Sequence, residues 1–108
     1  MITTQIMARG VLSPRTLDAL REVPRHRFVP PRLVSEAYAD RPLPIGHGQT
    51  ISQPFIVAVM TALLGLRGDE TVLEVGAGCG YQSAVLSRVA ARVFAIEIVE
   101  DLALEARA

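Results

Sequence analysis

The feature that most restricts this 108-residue chain is the run Val72-Leu73-Glu74-Val75-Gly76-Ala77-Gly78-Cys79-Gly80-Tyr81. A β-branched apolar stretch stands directly before alternating glycines, and a helix-forming stretch directly after them. Glycine permits the positive φ angles of a sharp turn and lets a ligand lie against bare backbone. Unpaired N–H groups at the start of the following helix can face that ligand. A second strand is predicted over Arg92 to Ile96, with a helix from about Tyr81 to Ala90 in between, Val85 and Val89 lying one turn apart. Strand, glycine turn, helix and strand make a βαβ unit. Strands that are apolar on both faces predict a parallel sheet covered on both sides, so the expected fold class is α/β.

Glu97 closes the second strand about 20 residues after the first glycine, a position from which an acid can accept both hydroxyl hydrogens of a ribose. The glycine spacing then separates the cofactors. A dinucleotide fingerprint, G-x-G-x-x-G, seats a pyrophosphate at the helix start. Here Tyr81 occupies the place of its third glycine, and the pattern is G-x-G-x-G. Glu74, two residues before Gly76, would repel a pyrophosphate. It would attract the ammonium and sulfonium charges of S-adenosylmethionine, directly or through water. The alternatives are a nicotinamide or flavin site and a turn that only reverses the chain.

Upstream, proline sets the organisation. Ser13-Pro14 opens a helix carrying Leu17, Leu20 and Val23, and Pro24 ends it. Most of the chain's 7 prolines then fall between Pro24 and Pro44, which predicts extended and turn conformations lying over a surface. Ser52-Gln53-Pro54 opens a second helix to about Leu64. Its residues Phe55, Ile56, Val57, Val59, Met60, Leu63 and Leu64 leave almost no polar face, so it is expected to be buried, with Gly65 and Gly68 at its exit.

Composition excludes several classes. With 11 basic and 11 acidic residues the formal charge is zero, which gives no general attraction for nucleic acid. No run of about 18 apolar residues predicts a membrane span, and the N-terminus lacks the order of a secretory signal. The 1 cysteine, Cys79, has no internal disulfide partner, so a cytoplasmic location is the expectation.

Two stretches carry a resemblance to a family. One is Val23-Pro24-Arg25-His26-Arg27-Phe28-Val29-Pro30, followed by Ala37-Tyr38 and Asp40. The other is Gly48-Gln49-Thr50-Ile51-Ser52-Gln53-Pro54, followed by the glycine turn. In this order they closely resemble the protein-L-isoaspartate(D-aspartate) O-methyltransferase family, over nearly all of the chain from about Gln5. The resemblance implies a Rossmann-like class I methyltransferase fold and a protein-repair activity. S-adenosylmethionine would methylate the α-carboxylate of L-isoaspartyl residues in damaged proteins or peptides, and the ester would collapse to a succinimide. Carried over by position, Ser52 matches the active-site serine. Gln49, Thr50 and Ile51 match the segment beside the cofactor, Glu74, Gly76, Ala77, Gly78 and Gly80 its main loop, and Glu97 the ribose-binding acid.

Ser52 is read as an orienter of the substrate carboxylate, its alternative role being the cap of the helix that follows. His26 and His47 are read as structural. Cys79, where many relatives carry serine, is read as a small residue lining the loop, against the alternative of a reactive thiol at a helix start. Arg25, Arg27 and Arg32, with Glu36 and Asp40 nearby, are read as a solvated, salt-bridged surface. No metal site is expected. Residues 1–70 form a helical and irregular cap, and 71–108 the first part of the cofactor domain, with 98–108 opening the next helix. The chain is therefore expected to be the N-terminal portion of a longer enzyme that is itself a monomer. An incompetent fragment prone to association, and a dinucleotide-dependent oxidoreductase, are the alternatives.

Overall fold

Proline and glycine place the element boundaries, as the sequence requires. The structure, a computed structural model, describes residues 1–46 and 49–96. A π-helical turn Ile2–Ile6 and a 3-10 turn Met7–Arg9 lead to helix α1, Pro14–Glu22, with Pro14 in its first turn. Val23 is already extended (φ −100°, ψ 111°), because a residue before proline is driven out of the helical region. Helix α2 spans Pro54–Leu63, strand β3 Thr71–Val75, helix α3 Tyr81–Ser87 and strand β4 Arg92–Ile96. β3 and β4 pair in parallel, Leu73 opposite Phe94 and Val75 opposite Ile96, which is the predicted βαβ unit.

The proline-rich segment takes the expected turn and extended conformations, with a strand pairing that was not expected. It forms two 3-10 turns, Arg25–Phe28 and Pro31–Glu36, and then an antiparallel pair, β1 (Leu43–Gly46) with β2 (Gln49–Ile51). Pro44 sits in β1, where a missing N–H is tolerated because the pair has two strands and each is an edge. Helix α3 stops at Ser87, short of Ala90, yet Val89 remains buried through the turn that follows.

One core joins these pieces. Ile6, Leu17, Leu20, Leu43, Ile51, Val57, Tyr81, Val85 and Leu86 belong to a single buried cluster, so hairpin and helices share an interior with the βαβ unit. Two expectations of burial fail. The sheet is covered on one face, where Val72 and Val93 meet the core, while Leu73, Val75, Phe94 and Ile96 on the other are exposed. Helix α2 buries Pro54, Val57, Ala58 and Thr61, but Met60, Leu63 and Leu64 are exposed. Together with Leu73 and Val75 they line an open apolar groove beside β3. The pattern marks which side chains favour burial and is silent on what covers them. Glu97 and the helix expected over 98–108 lie outside the described residues.

Candidate active site

The glycine turn hangs from the end of β4. The N–H groups of Gly76 and Ala77 both donate to the Ile96 carbonyl, at 2.7 and 3.1 Å, which fixes the turn at the carboxyl edge of the sheet. Gly76 has φ +81°, and a Cβ there would meet no atom within 4 Å among the described residues. The backbone therefore faces open space in a conformation that L side chains rarely adopt. Gly80, at φ 91°, caps α3, and its carbonyl accepts from Ala84 N–H at 2.9 Å. Glu74 is half-buried, and its Oε1 accepts from Ser83 Oγ at 2.5 Å, so α3 holds the carboxylate beside the turn.

The second segment arrives from β2. Pairing of Pro44 with Thr50 and Leu43 with Ile51 carries the chain to Ser52, which is exposed. The residue that caps α2 is Gln53, with Pro54 next, and no side chain supplies a capping bond. The alternative role of Ser52 as helix cap is thereby removed. Gln53 Nε2 donates to Asp40 Oδ1 at 2.6 Å, and Arg9 pairs with the same carboxylate. Bonds from Arg9 and then Gln53 hold the Asp40 carboxyl below the usual aspartate range. Its contribution to stability is thus present above the ordinary aspartate pKa, and is lost as pH falls through the depressed value.

The two segments meet. Thr50, Ile51 and Ser52 on one side and Gly76, Ala77, Gly78 and Cys79 on the other line one small cavity, floored by Val57, Tyr81 and Gln82. Of the expected site residues, Thr50, Ile51, Ser52, Gly76, Ala77 and Gly78 are brought together there. Gly80 and Glu74 stand just behind as helix cap and turn support. Gln49 lies exposed at the start of β2, opposite Gly46. Glu97 and His47 fall outside the described residues.

Cys79 is partly buried, and that desolvation pushes its thiol pKa up, outweighing the bonds from nearby backbone N–H groups. The reactive-thiol reading loses its support. Cys79 is expected to react with iodoacetamide at neutral pH more slowly than free cysteine, and faster labelling would contradict this. His26 takes its structural part, with Nδ1 2.8 Å from the Tyr38 hydroxyl. No cluster able to hold a metal ion occurs among the described residues.

The reading of Arg25 as solvated surface is wrong. The side chain is 0% exposed and bonds to two carbonyls, those of Ala37 and Ser52. The acids expected to pair with it are taken elsewhere, Glu36 by Arg41 and Asp40 by Arg9. Arg27 and Arg32 are exposed as expected. The carbonyls that hold Arg25 lie 12 and 27 residues away, beyond what local pattern reveals.

A parallel βαβ unit with a glycine turn at its carboxyl edge, roofed by an N-terminal cap, is part of a Rossmann-like class I methyltransferase fold. A solved protein-L-isoaspartate O-methyltransferase has a TM-score of 0.83 and 32% identity, over 94% of this chain and 34% of that one. A Plasmodium falciparum structure at 23% identity shares the fold with a TM-score of 0.77, and was solved with S-adenosyl-L-homocysteine. The family model described as protein-L-isoaspartate(D-aspartate) O-methyltransferase matches residues 1–108, and the chain belongs to that family. Among relatives, the protein-L-isoaspartate O-methyltransferase of Anaeromyxobacter dehalogenans is 65% identical over 92% of this chain and 47% of its own length. That of Picosynechococcus sp. is 57% identical over 99% and 48%. The chain spans about half the length of these relatives.

Proposed function

We propose that this protein transfers a methyl group from S-adenosylmethionine to the α-carboxylate of L-isoaspartyl residues. The observation that carries this reading is the single cavity shared by Thr50–Ser52 and Gly76–Cys79. Residues 1–70 act as the substrate- and cofactor-facing cap, and 71–108 as the first part of the cofactor domain.

The residues suit the group. Backbone without a side chain at Gly76 offers a close approach, since a Cβ there would meet no atom within 4 Å among the described residues. Gly76, Ala77, Gly78 and Gly80 would hold the cofactor by main chain, together with Gln49, Thr50 and Ile51. Glu74 would supply negative charge beside the turn, and Glu97 would take the ribose. S-adenosylmethionine, when bound, supplies an electrophilic methyl group on a sulfonium.

The rest is positioning. A carboxylate with a pKa of about 3.5 is already ionised at neutral pH, so no residue has to remove a proton. Ser52 donates a hydrogen bond that fixes which carboxylate oxygen faces the methyl group. Alignment at near-attack distance, with water excluded, supplies the acceleration. The opposite charges of the reactants cancel as the bond forms, so loss of water favours the step.

The substrate is an isoaspartyl protein or peptide, and the cytoplasm, inferred from the cysteine content, is its setting. No helix of the described residues is long and apolar enough to cross a membrane. Titration calorimetry tests the cofactor. S-adenosylhomocysteine is expected to bind the full chain at least about 100-fold more tightly than NAD, a gap of about 2.7 kcal/mol. The reverse preference would restore the oxidoreductase.

A further inference from the structure

We infer that Arg25 is a positioning residue that ties the main chain of Ser52 to the ring of Tyr81, so that the substrate-facing turn and the start of α3 are held as one unit. Arg25 lies in the 3-10 turn Arg25–Phe28, which belongs to neither segment of the cavity. Its Nε donates to the Ala37 carbonyl at 2.5 Å and its Nη2 to the Ser52 carbonyl at 2.8 Å. Its Cζ lies 5.0 Å from the centre of the Tyr81 ring, within cation–π reach. Tyr81 is the first residue of α3, directly after the glycine turn, and is 1% exposed. Its ring is fixed on a second side by Phe28, edge-on at 5.5 Å between centres.

The geometry acts on Ser52 through its peptide plane. A carbonyl held by a charged donor sets the plane of the Ser52–Gln53 peptide, and with it the direction in which the Ser52 side chain leaves the turn. Gln53 then caps α2, its own carbonyl accepting from Ile56 and Val57 N–H at 3.0 and 3.2 Å. A planar fork suits this task. One nitrogen donates to Ala37, another to Ser52, and the guanidinium carbon lies within cation–π reach of Tyr81, a combination an ammonium group cannot reproduce.

Burial of a guanidinium is an expensive way to fill space, and this one is 0% exposed. An apolar side chain of similar volume would pack the same position more simply. What arginine adds is directed bonds and a cation–π contact: the Ser52 bond and the Tyr81 contact reach residues that line the cavity, while the Ala37 bond anchors the side chain outside it. No contact with substrate is assigned to it, since the side chain is 0% exposed.

The proposal rests on the methyl-transfer reading for its meaning, and its test separates the two. The full chain is compared with Arg25→Lys, Ser52→Ala, the two combined, and Tyr81→Leu. In Arg25→Lys, kcat on an isoaspartyl peptide is expected to fall about 10–100-fold. KM and S-adenosylhomocysteine affinity are expected to stay within about threefold of the parent. Because the arginine acts through Ser52, Arg25→Lys added to Ser52→Ala should lower kcat no further. An unchanged kcat, or the same loss in both backgrounds, would overturn the proposal.

Amide exchange gives a readout that needs no turnover. Exchange at Ile56 and Val57 reports the turn, and Arg25→Lys should accelerate it about tenfold at unchanged global stability. Unchanged protection also overturns the proposal. If the parent transfers no methyl group to the isoaspartyl peptide, the functional reading fails by itself, and exchange still decides the role of Arg25. Should Arg25→Lys not fold, Tyr81→Leu carries the same exchange measurement with the same two outcomes.

Discussion

Gly76→Ala is expected to weaken S-adenosylhomocysteine binding by at least about 100-fold, equivalent to about 2.7 kcal/mol. Two effects combine. The backbone at φ +81° disfavours any Cβ, and the added methyl group would project into the open space the cofactor is proposed to fill. Strain alone amounts to about 1–2 kcal/mol and acts on folding. Gly65 provides the control. It lies at the exit of α2, outside the cavity lining, with φ +61° and no atom of the described residues within 4 Å of its would-be Cβ. Gly65→Ala should therefore lower the melting temperature by a similar amount and leave binding unchanged. Equal affinity in the two variants would remove Gly76 from the cofactor site.

Arg25→Ala is expected to destabilise the fold by about 3–5 kcal/mol, through two unpaired carbonyls and a cavity where a large side chain stood. A domain of this size has about 5–15 kcal/mol in total, so the variant would lie close to its threshold. Arg25→Met should lose less, because it fills the volume and removes the buried charge while leaving the carbonyls of Ala37 and Ser52 without their donor. Arg27→Ala, at an exposed position two residues away, should change stability by under about 0.5 kcal/mol. Urea unfolding with a common m-value measures all three. Similar midpoints for Arg25→Ala and Arg27→Ala would show that the buried arginine contributes nothing.

What was legible in the sequence follows from what acts locally. Pro14, Pro24 and Pro54 mark helix ends because a proline restricts its own φ and its predecessor's conformation whatever the tertiary setting. The β3–turn–α3–β4 unit was readable for the same reason, since glycines and β-branched runs carry their geometry with them. The segments that line the cavity were also found, though the step from separate motifs to a shared wall needed the fold.

Elements that depend on distant partners were hidden. The hairpin of β1 and β2 is short, contains Pro44, and draws its stability from Leu43, Ile45 and Ile51 in the common core. Arg25 looked like one of a group of surface arginines until the carbonyls of Ala37 and Ser52 were placed around it. The cap, the alternative role for Ser52, falls to Gln53, one residue later. The exposed face of Leu73, Val75, Phe94 and Ile96 shows the same limit from the other side, because alternation predicts the wish for cover and says nothing of its source.

The shared cavity is proposed to serve methyl transfer to an isoaspartyl carboxylate oriented by Ser52. The most direct measurement is the initial rate of labelled methyl transfer from S-adenosylmethionine to two peptides identical except for one L-isoaspartyl or L-aspartyl residue. The full chain is assayed beside Ser52→Ala at matched cofactor saturation. Label is expected in the isoaspartyl peptide alone, with a kcat about 100-fold lower in the variant, as for loss of an aligning contact. Equal labelling of the two peptides, or full activity without the Ser52 hydroxyl, would contradict it.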